Sequence, residues 1–310
     1  MTPSDTPAPP GTIPVRVGMA PVSTGLRALR VSGAEAETFL QGQFSSDLRE
    51  LSASRAQWSS WNSPKGRMLA FLLLVRDGDA IDLWMPAALV PAIHKRLRLF
   101  VLRAKVTIED LGAARVAVGV VGPDAAERLA AAGRPTPGEP RAVEAASGIQ
   151  VLRTLGAEPR FLVLGSRDAL PTPSNPDDTE WRAGDIEAGL PAVFPETQER
   201  WVAQMANLDR FGAIGFEKGC YTGQEVVARL HYLGNLKKRL YRLTGEGPGP
   251  ARGADVHVEG GDGQAVGEIV DSVPSGGGFV ASAVLQVAQA ESAALTVGGA
   301  RCRVPHDYRY

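Results

Sequence analysis

Length, composition and charge limit what this chain can be. Its 310 residues, 44% of them hydrophobic, are enough for two or more domains with buried cores. Its 33 Lys and Arg residues nearly balance its 34 Asp and Glu residues, which excludes a general attraction to polyanions or membranes. Two cysteines are too few for a disulfide scaffold or an all-cysteine metal cage. We expect a soluble, globular protein of a reducing compartment, the cytoplasm.

The first residues predict a disordered lead without a targeting signal. Residues 1–14 are rich in proline and contain neither a basic region nor an apolar run. The most apolar segment of the chain, residues 68–75, is far shorter than the about 20 residues that a membrane-spanning helix needs. We therefore expect no membrane segment.

Local patterns then predict helices and strands in alternation, as in an α+β chain. Ser32 and Glu35 have the spacing of a helix-capping box, which predicts a helix that begins near Ser32. The apolar run 68–75, the turn residues 77–78 and the segment 80–84 predict a β-hairpin. An apolar stripe predicts an amphipathic helix over residues 86–99, with Leu89, Ile93, Leu97 and Phe100 near one face.

The remainder of the chain predicts further strands and a small terminal β domain. Strand patterns lie at residues 116–121, 151–155 and 161–164. The Gly- and Pro-rich segment 245–253 predicts a domain boundary. Short Val-rich segments beyond it predict an all-β module over residues 254–310, which follows an α+β region over residues 15–243.

The densest chemical signal is the segment Lys218-Gly-Cys-Tyr-Thr-Gly-Gln-Glu225, called the signature below. Thr222 and Glu225 have capping-box spacing, which predicts a helix that begins just after Thr222. Cys220 then precedes a helix N-terminus, whose partial positive charge lowers the pKa of a thiol. Two interpretations stay open for Cys220, a reactive thiol or an inert small hydrophobic side chain. Glu225 can likewise be a cap residue without catalytic work.

Other motifs that carry chemistry are missing from the sequence. It contains no Walker loop and no Rossmann fingerprint, and its four histidines form no metal-binding motif, so we predict no metal site. Within the signature, Gly219 and Gly223 are expected to serve backbone geometry or the close approach of a ligand. Cys302 lies outside every motif and is predicted to be structural.

The signature resembles the KGCYxGQE motif of the YgfZ family, folate-binding proteins homologous to the aminomethyltransferase (T-protein) of the glycine cleavage system. Four more segments agree in order and spacing, namely residues 39–47, 62–67, 187–191 and 204–209. The resemblance extends over about residues 25–243, and the glycine-rich tail resembles the family's terminal barrel. It implies an α+β fold in which ferredoxin-like modules and a C-terminal β-barrel form a ring around an opening for tetrahydrofolate.

The resemblance also implies roles for single residues. Glu187 matches the glutamate that binds the pterin in the transferases, and a charged acceptor makes such hydrogen bonds about twice as strong as neutral ones. Cys220 is implied as the working thiol, with Lys218 near enough in sequence to stabilise its thiolate. Gln224 and Arg229 are candidate contacts for the folate tail or a partner. The other signature positions expected to shape the site are Gly219, Tyr221, Gly223 and Glu225.

The sequence departs from the transferases where their catalytic acid would stand. Ungapped matching from Gly66 places Ala70 or Phe71 at the position of the Asp that assists attack on the aminomethyl group, and neither transfers protons. Aminomethyl transfer is therefore disfavoured. The resemblance implies instead a folate-dependent auxiliary role in the synthesis or repair of iron-sulfur clusters, including those of radical enzymes that modify tRNA. Cluster-bearing client proteins or assembly proteins would be its partners.

Two other functions stay open at this point. A one-carbon folate enzyme with a different acid would use Asp47 or Asp209, although either can be only a turn residue. RNA or tRNA binding would use a basic set whose structural alternative is a solvated face. That set consists of Arg229, His231, Lys237, Lys238, Arg239 and Arg242.

Overall fold

The computed structural model describes residues 21–290 and 294–305. The predicted disordered lead, residues 1–14, lies outside the described residues. The described chain forms two five-stranded antiparallel sheets and a closed six-stranded barrel. None of its helices is both long and apolar enough to span a membrane.

Sixteen strands and six α-helices make up the described chain. The strands are β1 (Val22–Ser23), β2 (Leu26–Ser32), β3 (Gln57–Asn62), β4 (Met68–Asp77), β5 (Ala80–Pro86), β6 (Thr107–Asp110), β7 (Arg115–Val121), β8 (Val143–Ala146), β9 (Ile149–Arg153), β10 (Arg160–Ser166), β11 (Lys238–Glu246), β12 (Asp255–Val258), β13 (Ala265–Ser275), β14 (Gly278–Gln286), β15 (Leu295–Val297) and β16 (Ala300–Arg303). The helices are α1 (Ala36–Gln41), α2 (Val90–Arg98), α3 (Ala125–Ala131), α4 (Thr179–Glu187), α5 (Gln224–Leu233) and α6 (Val287–Ala290).

The first sheet has the strand order β3-β4-β5-β2-β6, and its most apolar strand is β4. Successive side chains of a strand point to opposite faces, so an apolar run of this length serves two cores at once. Leu72 and Leu74 pack into the core with α1 and α2, while Leu73 and Val75 pack against the second sheet. The predicted hairpin is confirmed, because Asp77 pairs with Ala80 across the turn.

Two helix predictions for this region have different outcomes. The helix predicted to begin near Ser32 begins at Ala36, because Ser32 is still paired with Thr107 in β2 and β6. The Glu35 carboxylate accepts a hydrogen bond from the backbone N–H of Lys105, 2.6 Å away, and does not close a capping box. The amphipathic helix is confirmed as α2, with Leu89, Ile93 and Leu97 buried as expected. Phe100 lies beyond the helix end and is 39% exposed.

The second sheet, with strand order β1-β7-β10-β9-β8, is joined to the first by a charged contact as well as by apolar packing. The fully buried carboxylate of Asp82 in β5 lies 2.7 Å from the Arg30 guanidinium of β2 and 2.8 Å from the Arg115 guanidinium of β7. Asp77 contacts the same two arginines. Hydrogen bonding to Asp82 holds the pKa of Arg30 above its ordinary value.

The predicted terminal β module is confirmed as the closed barrel β11-β14-β13-β12-β15-β16. Its beginning was predicted wrongly. The first barrel strand is Lys238–Glu246, which lies before the predicted boundary, and the segment 245–253 is mostly the loop between β11 and β12. Residues of β11 pair with β14 and with β16, and these distant partners assign the strand to the barrel. The Lys and Arg residues of β11 obscured the alternation of apolar and polar residues that would have predicted a strand.

We predict that Asp82→Asn lowers the free energy of unfolding by about 3 kcal/mol, because it removes the fully buried anion that Arg30 and Arg115 share and leaves them only the more exposed Asp77. Urea denaturation of the variant measures this change. Asp79→Asn is the matched control, since Asp79 is exposed in the adjacent hairpin turn and should change stability very little. Equal stability of the Asp82 variant and the wild type would refute the ionic tie.

Candidate functional site

A buried ammonium group fixes the signature to the first sheet. Lys218 is only 6% exposed, and its Nζ donates three hydrogen bonds to backbone carbonyl oxygens. The acceptors are Gln41 at 2.8 Å, Phe44 at 2.6 Å and Ser46 at 2.7 Å. An ammonium has three N–H donors, so all of them are satisfied in this way. The segment after α1 and the signature therefore form one unit.

Ser45 completes the attachment from the other side. Its hydroxyl donates to the carbonyl of Ala213 at 2.7 Å, and its own carbonyl accepts from the N–H of Gly215 at 2.7 Å. The same hydroxyl oxygen accepts from the N–H of Ser60 in β3 at 2.8 Å. Residues 41–46 are thus held between β3 and the chain that leads into the signature, so the matching segment 39–47 and the signature meet here.

Burial changes the acid–base properties of this unit. Desolvation lowers the pKa of Lys218 to about 8, and the three carbonyl oxygens favour the charged form. The ring of Tyr221 lies 5.0 Å from the ammonium, close enough for a cation–π contact. Burial also raises the pKa of the Tyr221 phenol above its ordinary value. The side chains of Lys218 and Tyr221 therefore belong to the buried interior of the protein.

The helix predicted to begin just after Thr222 is present as α5, but the predicted capping box is not. The helix follows Gly223, whose φ of 81° is in the left-handed region, and no side chain caps it. A Cβ at position 223 would lie 2.5 Å from the carbonyl oxygen of Ser63, so only glycine fits. Gly66 meets the same helix, since a Cβ there would lie 2.6 Å from that of Val226. The turn 62–67 is therefore locked onto the start of α5.

Other side chains of the signature and of α5 are more exposed to solvent. Cys220 is exposed, as are Glu225 and Arg229, while Gln224 is half-buried. Because the Lys218 donors are occupied by carbonyls, no hydrogen bond supports the predicted pairing of its ammonium with the Cys220 thiolate, which stays a prediction. A Cβ at Gly219 would meet nothing within 4 Å, so protein contacts do not explain the predicted backbone role of that glycine.

Glu187 lies apart from the signature, at the last position of α4. Its exposed carboxylate accepts a hydrogen bond from Arg242 of the barrel. Nearby on the same helix, the Arg182 guanidinium binds both carboxylate oxygens of Asp271 in β13, at 2.7 and 2.8 Å. A cavity of about 40 Å³ where β1, β2, α4 and the barrel meet is lined by residues that include Asp178, Arg182 and Phe194. The predicted pterin carboxylate thus stands beside the junction of all three parts.

Several residues predicted to serve the two alternative functions form ion pairs within the protein. The Asp209 carboxylate binds Arg239 through two hydrogen bonds of 2.8 and 2.9 Å. Hydrogen bonds from Arg49 hold the pKa of Asp47 well below its usual range. Both carboxylates are thus engaged by arginine side chains within the protein. Arg239 and Arg242 are also engaged, which removes two members of the basic set.

The position of the missing catalytic acid is occupied by an aromatic cluster. Ala70 and Phe71 are buried in β4. The Phe71 ring stacks on that of Trp58 with centroids 5.0 Å apart and meets the Phe211 ring edge-on at 6.2 Å. None of these side chains can accept or donate a proton, so the surroundings reinforce what the sequence indicated about residues 70 and 71.

A buried polar side chain, Asn62, lies beneath the signature, and the sequence alone indicated no role for it. Asn62 is 1% exposed, and among the described residues neither atom of its amide has a hydrogen-bond partner. The Ser63 hydroxyl beside it is unpaired too. The close approach of Gly223 to Asn62 and Ser63 places both residues directly under the start of α5. Buried polar groups are nearly always paired, so this amide offers a donor and an acceptor to a polar ligand or a water.

The chain is similar to curated bacterial proteins over about three quarters of its length. It is 30% identical over 241 residues to the tRNA-modifying protein YgfZ of Colwellia psychrerythraea, an alignment that spans 74% of this chain and 72% of the relative. It is 32% identical over 244 residues to the same protein of Cronobacter sakazakii, spanning 75% and 73%. The chain belongs to the YgfZ family. No model of a protein family matches it.

The fold of this YgfZ-family chain is shared with a solved transferase. The glycine cleavage system aminomethyltransferase T of Bartonella henselae superposes with a TM-score of 0.68, over 92% of this chain and 83% of the transferase, at 18% identity. That likeness is one of fold. It confirms the predicted T-protein-like α+β class with its terminal barrel.

We predict that Lys218→Met lowers the free energy of unfolding of this YgfZ-family protein by about 3 kcal/mol near neutral pH, because three buried carbonyls lose their donor. The variant should also alter pH dependence. The folded pKa near 8 lies below the ordinary 10.5, so between these values the unfolded chain binds more protons. Lys218 therefore makes unfolding free energy rise with pH across that window, and the variant lacks this rise.

Urea denaturation at several pH values between about 7 and 10.5 measures both effects of Lys218. Lys65→Met is the control, since Lys65 is exposed in the turn 62–67 and forms no hydrogen bond or ion pair through its side chain within the described residues. Identical pH curves for the wild type and the Lys218 variant would show that the ammonium is not held as described.

Proposed function

We propose that this YgfZ-family protein binds tetrahydrofolate, or a one-carbon derivative of it, and serves as a cytoplasmic auxiliary factor for iron-sulfur clusters. The clusters would belong to partner enzymes that modify tRNA, in line with the name of its relatives. The observation that carries the proposal is an exposed thiol, Cys220, on a rigidly anchored loop of a transferase-like fold without the transferase's acid. Such a site can hold a ligand and a reactive sulfur without turning over the transferase reaction.

The folate half of the proposal rests on Glu187 and the likeness in fold. A carboxylate has about four lone-pair positions. Arg242 binds Oε2 of Glu187, which leaves Oε1 to accept hydrogen bonds from paired N–H donors such as those of a pterin. The carboxylate is exposed on α4 beside the junction of the two sheets and the barrel, so a planar ligand can reach it.

The auxiliary half rests on the number and the setting of the thiols. An ordinary cluster cage uses four cysteines, and this chain has two, of which Cys302 is buried in the barrel. The cluster must therefore belong to another protein. Cys220 precedes α5 by four residues and is exposed, a setting in which the thiol is accessible to a partner or a bound folate.

The alternatives have less support from the contacts. A one-carbon transferase needs an acid, and both Asp47 and Asp209 are engaged as anions with arginines. Direct tRNA binding would have to depend on the remaining exposed cations, such as Arg229 and Lys237, because Arg239 and Arg242 bind carboxylates within the protein. We therefore place the tRNA connection in the partner enzymes.

We predict that Glu187→Ala weakens tetrahydrofolate binding about 10- to 100-fold, since a hydrogen bond to a charged group contributes about 1.5–3 kcal/mol. Isothermal titration with reduced tetrahydrofolate measures this loss. Cys220→Ser should bind as the wild type does. Glu180→Ala is the matched control, because Glu180 is an exposed acid on the same helix. Absence of binding to the wild type would overturn the folate half of the proposal.

We predict that Cys220→Ser abolishes support of cluster-dependent tRNA modification in cells that lack their native YgfZ, because the hydroxyl is a far weaker nucleophile than the thiol. Mass spectrometry of the modified nucleosides measures the effect. The buried thiol supplies the control, Cys302→Ala, which should retain activity. Full activity of the Cys220 variant would show that the signature thiol has no essential role.

A further inference from the structure

The turn after α2 exposes three large apolar side chains within four residues. Leu99 is 70% exposed, Phe100 39% and Leu102 89%. Single exposed leucines are ordinary on protein surfaces, whereas contiguous ones mark binding surfaces. We call this group of three side chains the α2 tip.

The backbone holds Leu102 outward in a strained conformation. Its φ of 45° is in the left-handed region, which a residue with a branched side chain rarely adopts and which costs free energy. The turn is nevertheless well fixed. The N–H of Ala104 donates to the carbonyl of Val101 at 2.8 Å, and the N–H of Lys105 donates to the Glu35 carboxylate at 2.6 Å. The fold therefore keeps a strained, exposed leucine where a glycine would be more comfortable.

The rim of the α2 tip is positively charged. Residues 83–108 contain five Lys and Arg residues and no acid. Arg96 is paired with Glu199. The other four cations are exposed and form no ion pair within the described part of the chain; they are Lys95, Arg98, Arg103 and Lys105. An apolar centre within a cationic rim is complementary to an apolar cleft bordered by carboxylates.

The α2 tip is connected to the candidate site by direct packing. The ring of Phe100 meets the buried ring of Trp61 edge-on, with centroids 5.8 Å apart. Trp61 forms a β-bridge with Phe44, whose carbonyl accepts a hydrogen bond from Lys218. Trp61 also directly precedes Asn62, which lies under the start of α5. A molecule seated on the tip is therefore separated only by Phe100 from the packed layer that carries the signature.

We propose that the α2 tip docks the cluster-bearing partner protein, through an apolar cleft bordered by Asp and Glu side chains on that partner. The inference rests on the proposed function, since it is the partner's cluster that has to be brought to the signature. A protein fits better than RNA, because two of the three side chains are leucines, and the ring of the third, Phe100, is only 39% exposed and already packs against Trp61, which leaves little face on which bases can stack. The continuity with the signature layer favours a protein over a lipid surface.

The test is the double variant Leu99→Ser/Leu102→Gly in cells that lack their native YgfZ. We expect cluster-dependent tRNA modification to fall at least fivefold. The purified variant should bind tetrahydrofolate like the wild type, and its melting temperature should be unchanged or raised, since glycine relieves the positive φ at position 102. Leu233→Ser is the matched control, because Leu233 is 85% exposed but lies at the end of α5.

The outcomes separate the two proposals. If the wild type itself does not restore modification, the proposed function fails. If the wild type and the double variant restore it equally, the docking role of the α2 tip is wrong. Flotation with phosphatidylglycerol vesicles is the second arm, and vesicle binding that the double variant loses would overturn the protein partner in favour of a lipid one. Charge reversal by Arg98→Glu/Arg103→Glu should reproduce the loss of modification without loss of folate binding.

Discussion

The interaction on which the candidate site depends is the ring of three backbone carbonyls around the Lys218 ammonium. A buried ammonium is tolerated only when each of its donors is satisfied, and here one short segment after α1 supplies all three acceptors. This bond network fixes the signature loop, and the loop fixes the start of α5 over the turn 62–67. Because α5 leads directly into β11, the same network helps to position the barrel.

Arginine–carboxylate pairs add to the apolar packing that joins the parts of the molecule. The barrel and one face of the second sheet have cores of their own, and a further core lies between the two sheets. Asp82 ties the two sheets together, while Arg182 and Asp271 connect α4 to the barrel. Such forks of hydrogen bonds require one orientation, whereas apolar faces can slide over each other. The relative placement of the three parts is therefore specified by geometry as well as by burial.

What the sequence predicted was local in origin. The strand β4, its hairpin, α2 and the terminal β module could be found because their apolar spacing and turn residues lie within short windows. The first barrel strand was missed because its partners are β14 and β16, far along the chain. The capping box at Thr222 was wrong because the helix start is set by contact with residues 62–66, a constraint that spacing cannot reveal.

The candidate site, too, could be predicted where local sequence determines it but not where tertiary contacts do. The resemblance identified the signature and its thiol, and closeness in sequence alone suggested Lys218 as a cation for that thiol. The three donors of the lysine bind carbonyls more than 170 positions earlier in the chain, a contact that no local pattern predicts. Two further features could not be predicted from local sequence. The amide of Asn62 is buried without a partner because Gly223 packs closely over it. The α2 tip is exposed because the backbone of Leu102 adopts a positive φ.

The contrast between the two cysteines makes the protein convenient for spectroscopy. Cys302 is buried in the barrel, and burial raises the pKa of its thiol to about 11, so it reacts poorly with maleimides at neutral pH. Cys220 is exposed. A fluorophore can therefore be attached to the signature loop of the unmodified sequence at one defined position, and energy transfer to it from the five tryptophans of the chain would follow the loop in solution.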